Sequence, residues 1–250
     1  MNASRGDKDV TQETQENGAF ITGGTGSLGR AVVRRFLDDG HAVAVTYRSA
    51  KEWDALRGES ARDAEAGRLI GVSTDVTDHD AMSAAVASAV SGLGGIRVLV
   101  HVAGGFAGGT PVEAVEAKVV RLMLDVNLVS AFWAAKHVIP HAKASGRGRL
   151  LFISSRGSLE ANSGAAAYAA AKAGLNALVA TLAKEVGPFG MTANAVLPSI
   201  IDTPQNRAAM PGAKFASWVR PDQVAALLAY LASDAAATTS GALIPIYGRA

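Results

Sequence analysis

Cysteine is absent from the 250 residues, which excludes disulfides and thiolate metal centres at once. Charge is sparse at 18% of residues and close to balanced, with a formal net charge of +2. The basic residues are scattered and form no stripe that could follow a phosphate backbone, so no nucleic-acid partner is expected. No run reaches the roughly 18 uncharged apolar residues that span a bilayer, so no membrane is expected either. Residues 1–17 are polar and charged, unlike a secretory signal, and read as a flexible tail. Together these absences place the protein in the cytoplasm as an expectation. Histidine is also scarce, with five in the chain. His137 and His141 stand four apart on an expected helix, the spacing of a paired metal site, but no metalloprotease-type Glu accompanies them. They read as a surface or interface pair, and no metal is expected.

What the chain has instead is apolar residues, 49% of the total, enough for one large core. From Gly18 onward, short apolar runs alternate with helical periods. Strands are expected at 19–22, 41–47, 69–73, 96–102, 149–154, 192–197 and 242–246. Helices are expected at 30–38, 78–91, from Pro111 to His137, 165–186 and 221–233. The run from Ile96 to Val102 is almost continuously apolar, as in a strand covered on both faces. This alternation predicts an α/β fold: a Rossmann-like, doubly wound parallel sheet of about seven strands with helices on both faces. No linker divides it, so 18–250 is expected to be a single dinucleotide-binding and catalytic domain.

The first strand leads into Thr22-Gly23-Gly24-Thr25-Gly26-Ser27-Leu28-Gly29 and then a helix. Glycines there allow a sharp turn and close backbone approach, and the helix N-terminus favours an anion. Gly23, Thr25, Gly26, Ser27, Leu28 and Gly29 are therefore expected cofactor contacts. Asp75, after the third strand, suits an adenine amino group, with Val76 packing or bonding through its backbone; a turn or N-cap Asp is the equal alternative. The second strand ends in Arg48-Ser49, where an acid would select a free ribose hydroxyl. A cation and a hydroxyl suit a 2′-phosphate, so NADP(H) is favoured with NAD(H) possible, against a merely solvated arginine.

Tyr168 and Lys172 are four apart at the start of the Ala-rich helix and share one face. A phenol near pKa 10 is a poor acid/base at neutral pH, and an adjacent ammonium is expected to lower it. Ser155, at the carboxyl end of the fifth strand, is placed to donate to a substrate carbonyl, with Ser154 as its rival. Asn127 lies mid-helix, where an amide competes for backbone hydrogen bonds; a kink holding a water towards Lys172 would account for it, a solvated Asn being the alternative.

As an ordered set over nearly the whole chain, these residues resemble the compact, single-domain branch of the short-chain dehydrogenase/reductase family. The resemblance implies an NAD(P)-dependent oxidoreductase, EC 1.1.1.-, moving hydride between nicotinamide and a small carbonyl or alcohol. It implies Tyr168 as proton donor, Lys172 as ribose anchor, Ser155 as carbonyl orienter and Asn127 as holder of a relay water. Tyr168 and Lys172 would thus also touch the cofactor. So would Ala103 and Gly104, through backbone, and Pro198, Ser199, Ile201 and Thr203 after the sixth strand. The chain departs from the family at three turns. Ser27 replaces the second glycine, a spacing more typical of the larger epimerase-like branch. His101-Val102-Ala103-Gly104 replaces Asn-Asn-Ala-Gly, and Leu197-Pro198-Ser199 replaces Pro-Gly.

The segments 102–109 and 195–218 resemble dihydropteridine reductase, although that enzyme lacks the serine and prefers NADH. Gly105, Phe106, Arg156, Met210, Phe215 and Trp218 are expected around the substrate, with Arg207 available to an acidic group. The aromatics have the alternative role of pinning the loop. Pteridine or 3-oxoacyl reduction is an alternative activity, and a non-catalytic NAD(P)-binding regulator or an epimerase is an alternative class. Small apolar residues on the Ala-rich helix and the helix before Pro140 imply, by the same resemblance, a homodimer or homotetramer.

Overall fold

The computed structural model describes residues 17–160 and 162–249. The expected N-terminal tail falls, but for Asn17, outside the described residues. Seven strands form one parallel sheet in the order β3-β2-β1-β4-β5-β6-β7. They are β1 (Gly18–Thr22), β2 (Ala42–Tyr47), β3 (Leu69–Ser73), β4 (Val98–His101), β5 (Arg149–Ile153), β6 (Thr192–Pro198) and β7 (Leu243–Ile246). The chain reverses direction of winding between β1 and β4, and the crevice at that point is where open α/β sheets take their ligands.

Strands β1, β4, β5 and β6 are buried along their whole length, which is why their sequences lack alternation. One face is covered by α4 (His79–Leu93), α6 (Ser130–Ala144) and α7 (Ala166–Val186), through Met82, Ala134, Leu175 and Val179. The other is covered by α1 (Ser27–Asp38) and α9 (Pro221–Ala232), through Val32, Phe36, Val224 and Leu228. At the β3 edge, α2 (Ala50–Glu59) is started by the Ser49 hydroxyl, which accepts from the Glu52 amide. A short helix α3 (Ala61–Glu65) follows it.

The stretch after Pro111 departs from the single helix expected to His137. It consists of a 3₁₀ turn at Val112–Ala114, then α5 (Ala117–Leu124), a π-turn at Asp125–Val129, and α6. Helix α6 runs through Pro140 to Ala144 instead of ending before the proline. Pro140 lies in its second half on the exposed side, where water can serve the carbonyl that loses its amide partner. Joined in this way, Ala117–Ala144 is long and apolar enough to cross a membrane when a few charges are tolerated, as is Ala166–Phe189. Their α6 and α7 portions pack one face against the sheet. The last helices are α8 (Pro204–Ala209), in the loop after β6, and α9.

Candidate active site

The β1–α1 turn is built by close packing. A Cβ on Gly29 would lie 2.2 Å from the Gly23 carbonyl oxygen, and one on Gly24 would meet Val45 at 2.5 Å. Gly26 differs: a Cβ there would meet only the Gly23 carbonyl, at 3.6 Å, so its face is open. Helix α1 begins on that open face with no side-chain cap and no acid in its first turn. Its first amides are thus left for an anion, and the residues present fit a dinucleotide phosphate. Beyond the expected contacts, Thr46 accepts from the Gly23 amide at 3.1 Å, and Thr25 donates to the Glu52 carboxylate at 3.1 Å. That acid near the cradle was not foreseen, because only folding brings the first turn of α2 to Thr25.

Arg48 is exposed at the end of β2, while the Ser49 hydroxyl serves as the cap of α2. Asp75 is exposed and accepts from both the amide and the hydroxyl of Thr77, bonds that lower its pKa. It closes a turn, with Val76 buried behind it. After β6, the Ser199 hydroxyl donates to the Tyr247 carbonyl and Thr203 caps α8; Ile201 bridges to Val219. Both hydroxyls are engaged within the protein and Pro198 is buried, which leaves the backbone as the surface this turn presents.

Four residues converge at the carboxyl ends of β4 and β5. A Cβ on Gly104 would lie 2.9 Å from Asn127 Oδ1 and 3.4 Å from Lys172 Nζ, and one on Gly157 would lie 3.5 Å from Ser155 Oγ and 3.8 Å from the Tyr168 ring. Asn127 is wholly buried in the π-turn, so the kink expected around it is present. Its amide grips the β4 turn: Oδ1 accepts from Gly105 N at 3.1 Å, and Nδ2 donates to the carbonyls of Gly105 and Met123, both at 3.0 Å. Ser154 is excluded from the substrate side. Its hydroxyl is buried and donates to Asn176 Oδ1 at 2.7 Å. Ser155 accepts from Gly157 N and is hydrogen-bonded to the phenol of Tyr168.

The expected tuning of Tyr168 by Lys172 is not what the structure shows. Burial raises the phenol above its ordinary pKa, and the bond to Ser155 offsets this only in part. Lys172 Nζ donates to the Ile153 carbonyl at 2.7 Å and lies 6.0 Å from the ring centroid. Buried itself, it is pushed down to about 7. Spacing on a helix brings two side chains to one face, but burial decides which way their pKa values move.

On the substrate side, Phe106 is 71% exposed and sits edge-on to Tyr168 at 5.1 Å between ring centroids. Gly105 is bonded to Asn127, and Arg156 pairs with Glu160 and lies over Tyr247. Trp218 is buried and packs on Phe215, so it pins the loop and does not cover a substrate. Arg207 is held by Asp202 through two bonds, 2.5 and 2.7 Å, and rests on Phe215; it is not the free cation expected for an acidic group. Met210 is half-buried at the end of α8. His137 packs on His79, not on His141, and among the described residues no cluster could hold a metal.

The model of the short chain dehydrogenase family matches residues 17–213. The chain belongs to that family. It is 33% identical over 240 residues to the 3-oxoacyl-[acyl-carrier-protein] reductase MabA of Mycobacterium tuberculosis, covering 92% of this chain and 90% of that one. It is 31% identical over 241 residues to the cis-4-hydroxycyclohexanecarboxylate dehydrogenase of Sinomonas cyclohexanicum, covering 93% and 96%. A short-chain dehydrogenase/reductase from Serratia marcescens superposes with a TM-score of 0.84 at 32% identity, covering 94% of this chain and 98% of that one. This short-chain dehydrogenase is thus a nicotinamide-dependent oxidoreductase. The match supports no particular tie to dihydropteridine reductase.

Proposed function

We propose that this short-chain dehydrogenase reduces a small carbonyl compound with NADP(H), with Tyr168 as the proton donor. The observation that carries the proposal is the convergence of Asn127, Ser155, Tyr168 and Lys172 at the mouth of the β1/β4 crevice. A bound nicotinamide would supply or accept the hydride. Ser155 would orient the substrate oxygen, and Tyr168, protonated at neutral pH because it is buried, would donate to that oxygen as negative charge develops. Lys172 would hold the ribose, with Asn127 steadying the adjoining turn. The phosphates would lie on the open face at Gly26–Gly29. NADP(H) rests on Arg48, with the Glu52 carboxylate as an opposing charge.

A 3-oxoacyl thioester is the second reading. It is favoured by the likeness to the mycobacterial reductase and by a cavity of about 220 Å³ beyond Phe106, whose lining includes Val112, Val115 and Val119. As an assembly, a homodimer or homotetramer in the cytoplasm is proposed, with exposed Leu122 on α5 and Phe132 on α6 as interface candidates. Fluorescence titration with NADPH and NADH, followed by absorbance assays on ketones, diketones, quinones, a quinonoid pteridine and acetoacetyl-CoA, tests the activity. Turnover that disappears in Tyr168→Phe is expected. Failure to bind either nucleotide would overturn the reading.

A further inference from the structure

We propose that His101 is a positioning residue for this reaction, acting through Ser130 to hold the π-turn that carries Asn127. His101 is the last residue of β4, fully buried where a polar ring is out of place in an apolar strand. Its nitrogens reach in two directions: Nδ1 lies 2.9 Å from Thr22 Oγ1, and Nε2 lies 3.1 Å from Ser130 Oγ. The flanking groups leave one consistent arrangement of protons. Ser130 donates its hydroxyl to the Val126 carbonyl at 2.9 Å, so it accepts from His101 Nε2–H. The ring is then neutral with Nδ1 as acceptor from the Thr22 hydroxyl, which in turn accepts from the Ala103 amide at 3.2 Å. Burial agrees, holding the imidazole down to about 3.

The chain of donors therefore runs Ala103 N–H, Thr22, His101, and again His101, Ser130, Val126. It spans from the end of β1, where the phosphate cradle begins, to the π-turn. At that turn the Ser130 amide bonds the Asp125 carbonyl, five residues back, which frees the Val126 carbonyl for the Ser130 hydroxyl. Side-chain bonding to the carbonyl four residues back bends a helix. Here His101 directs the hydroxyl onto that carbonyl, and the π-turn in turn points the Asn127 amide at Gly105. The β4 turn is thus held from below by Thr22 and from above by Asn127, and His101 is the group shared by both holds.

The two arms of the ring can be separated. Glutamine at this position places an amide near Nε2 and keeps a donor for Ser130, whereas asparagine reaches only as far as Nδ1. Amide hydrogen exchange at Gly105, whose N–H bonds Asn127 Oδ1, reports the hold without any substrate. Exchange about five- to tenfold faster than wild type is expected in Ser130→Ala and His101→Asn, the scale of one lost hydrogen bond, and close to wild type in His101→Gln. Unchanged exchange in Ser130→Ala, or equal losses in the Asn and Gln variants, would overturn the proposal. The kinetic consequence rests on the reductase reading and uses NADPH with acetoacetyl-CoA as the probe. Ser130→Ala should lower kcat with nucleotide Kd unchanged, and should lower it no further when Asn127 is already alanine. Equal loss in both backgrounds would show that Ser130 acts elsewhere. If acetoacetyl-CoA is not turned over, the thioester reading is what fails; if neither nucleotide binds, the reductase reading fails; in both cases Gly105 exchange alone decides the role of His101.

Discussion

Tyr168 and Lys172 show how burial, more than proximity, sets the state of an acid/base group. The phenol is raised and the ammonium is lowered to about 7 by burial, so in the free protein Tyr168 is protonated at neutral pH. Reduction, which needs the phenol proton, is expected to stay level through neutral pH and to fall only in alkali. Oxidation, which needs the phenolate, should rise with pH throughout. Profiles of kcat/KM in the two directions check both. Removing the proton donor in Tyr168→Phe should cost roughly 10²- to 10⁴-fold in kcat with nucleotide binding retained. A second residue-scale expectation concerns Glu52, whose carboxylate accepts from Thr25 beside the cradle. An anion there opposes an additional phosphate, so Glu52→Gln should raise the affinity for NADPH relative to NADH by about fivefold, the scale of one Coulomb contact in water. Equal changes for the two nucleotides would remove Glu52 from cofactor choice.

At the scale of elements, the β1–α1 turn separates packing from binding. Gly29 has no room for a methyl group, since the Gly23 carbonyl would be 2.2 Å away, whereas Gly26 has. Gly29→Ala is therefore expected to lower both Tm and nucleotide affinity, with the overpacking costing roughly 1–3 kcal/mol. Gly26→Ala should leave Tm unchanged and weaken nucleotide binding alone, because its methyl group would stand on the face offered to the phosphates. Thermal melts with and without NADPH distinguish the two outcomes. The π-turn illustrates the complementary case. A continuous apolar period from Pro111 to His137 reads as one helix, and the break at Asp125–Val129 arises from contacts to β4, outside that window.

For the whole molecule, the buried imidazole links stability to pH. His101 is held at about 3 in the folded protein against an ordinary value of 6.5, so the unfolded chain takes up its proton first as the pH falls. The sign follows: stability from this group is complete above 6.5 and is lost as the pH falls towards 3. The slope in that window is up to about 1.4 kcal/mol per pH unit. Urea unfolding between those limits should show the slope in the wild type and a shallower one in His101→Gln, which cannot titrate. Parallel curves would mean that other groups dominate the acid response.

The doubly wound sheet, its seven strands and the placing of Tyr168, Lys172, Ser155 and Asn127 were all legible in one dimension. Strand and helix periods, glycine turns and the ends of strands are local properties, and the β-α alternation leaves few ways to wind a parallel sheet. The rival Ser154 is set aside only by folding, which places its hydroxyl against Asn176. Folding likewise turned Lys172 to the Ile153 carbonyl, closed Asp202 on Arg207 and brought Glu52 to Thr25. Each of these pairs a side chain with a partner whose proximity, orientation or burial no sequence spacing encodes. What the sequence by itself determined is which residues lie at the carboxyl ends of the strands; what only the tertiary structure decided is which of their polar groups are already bonded and which are left for a ligand.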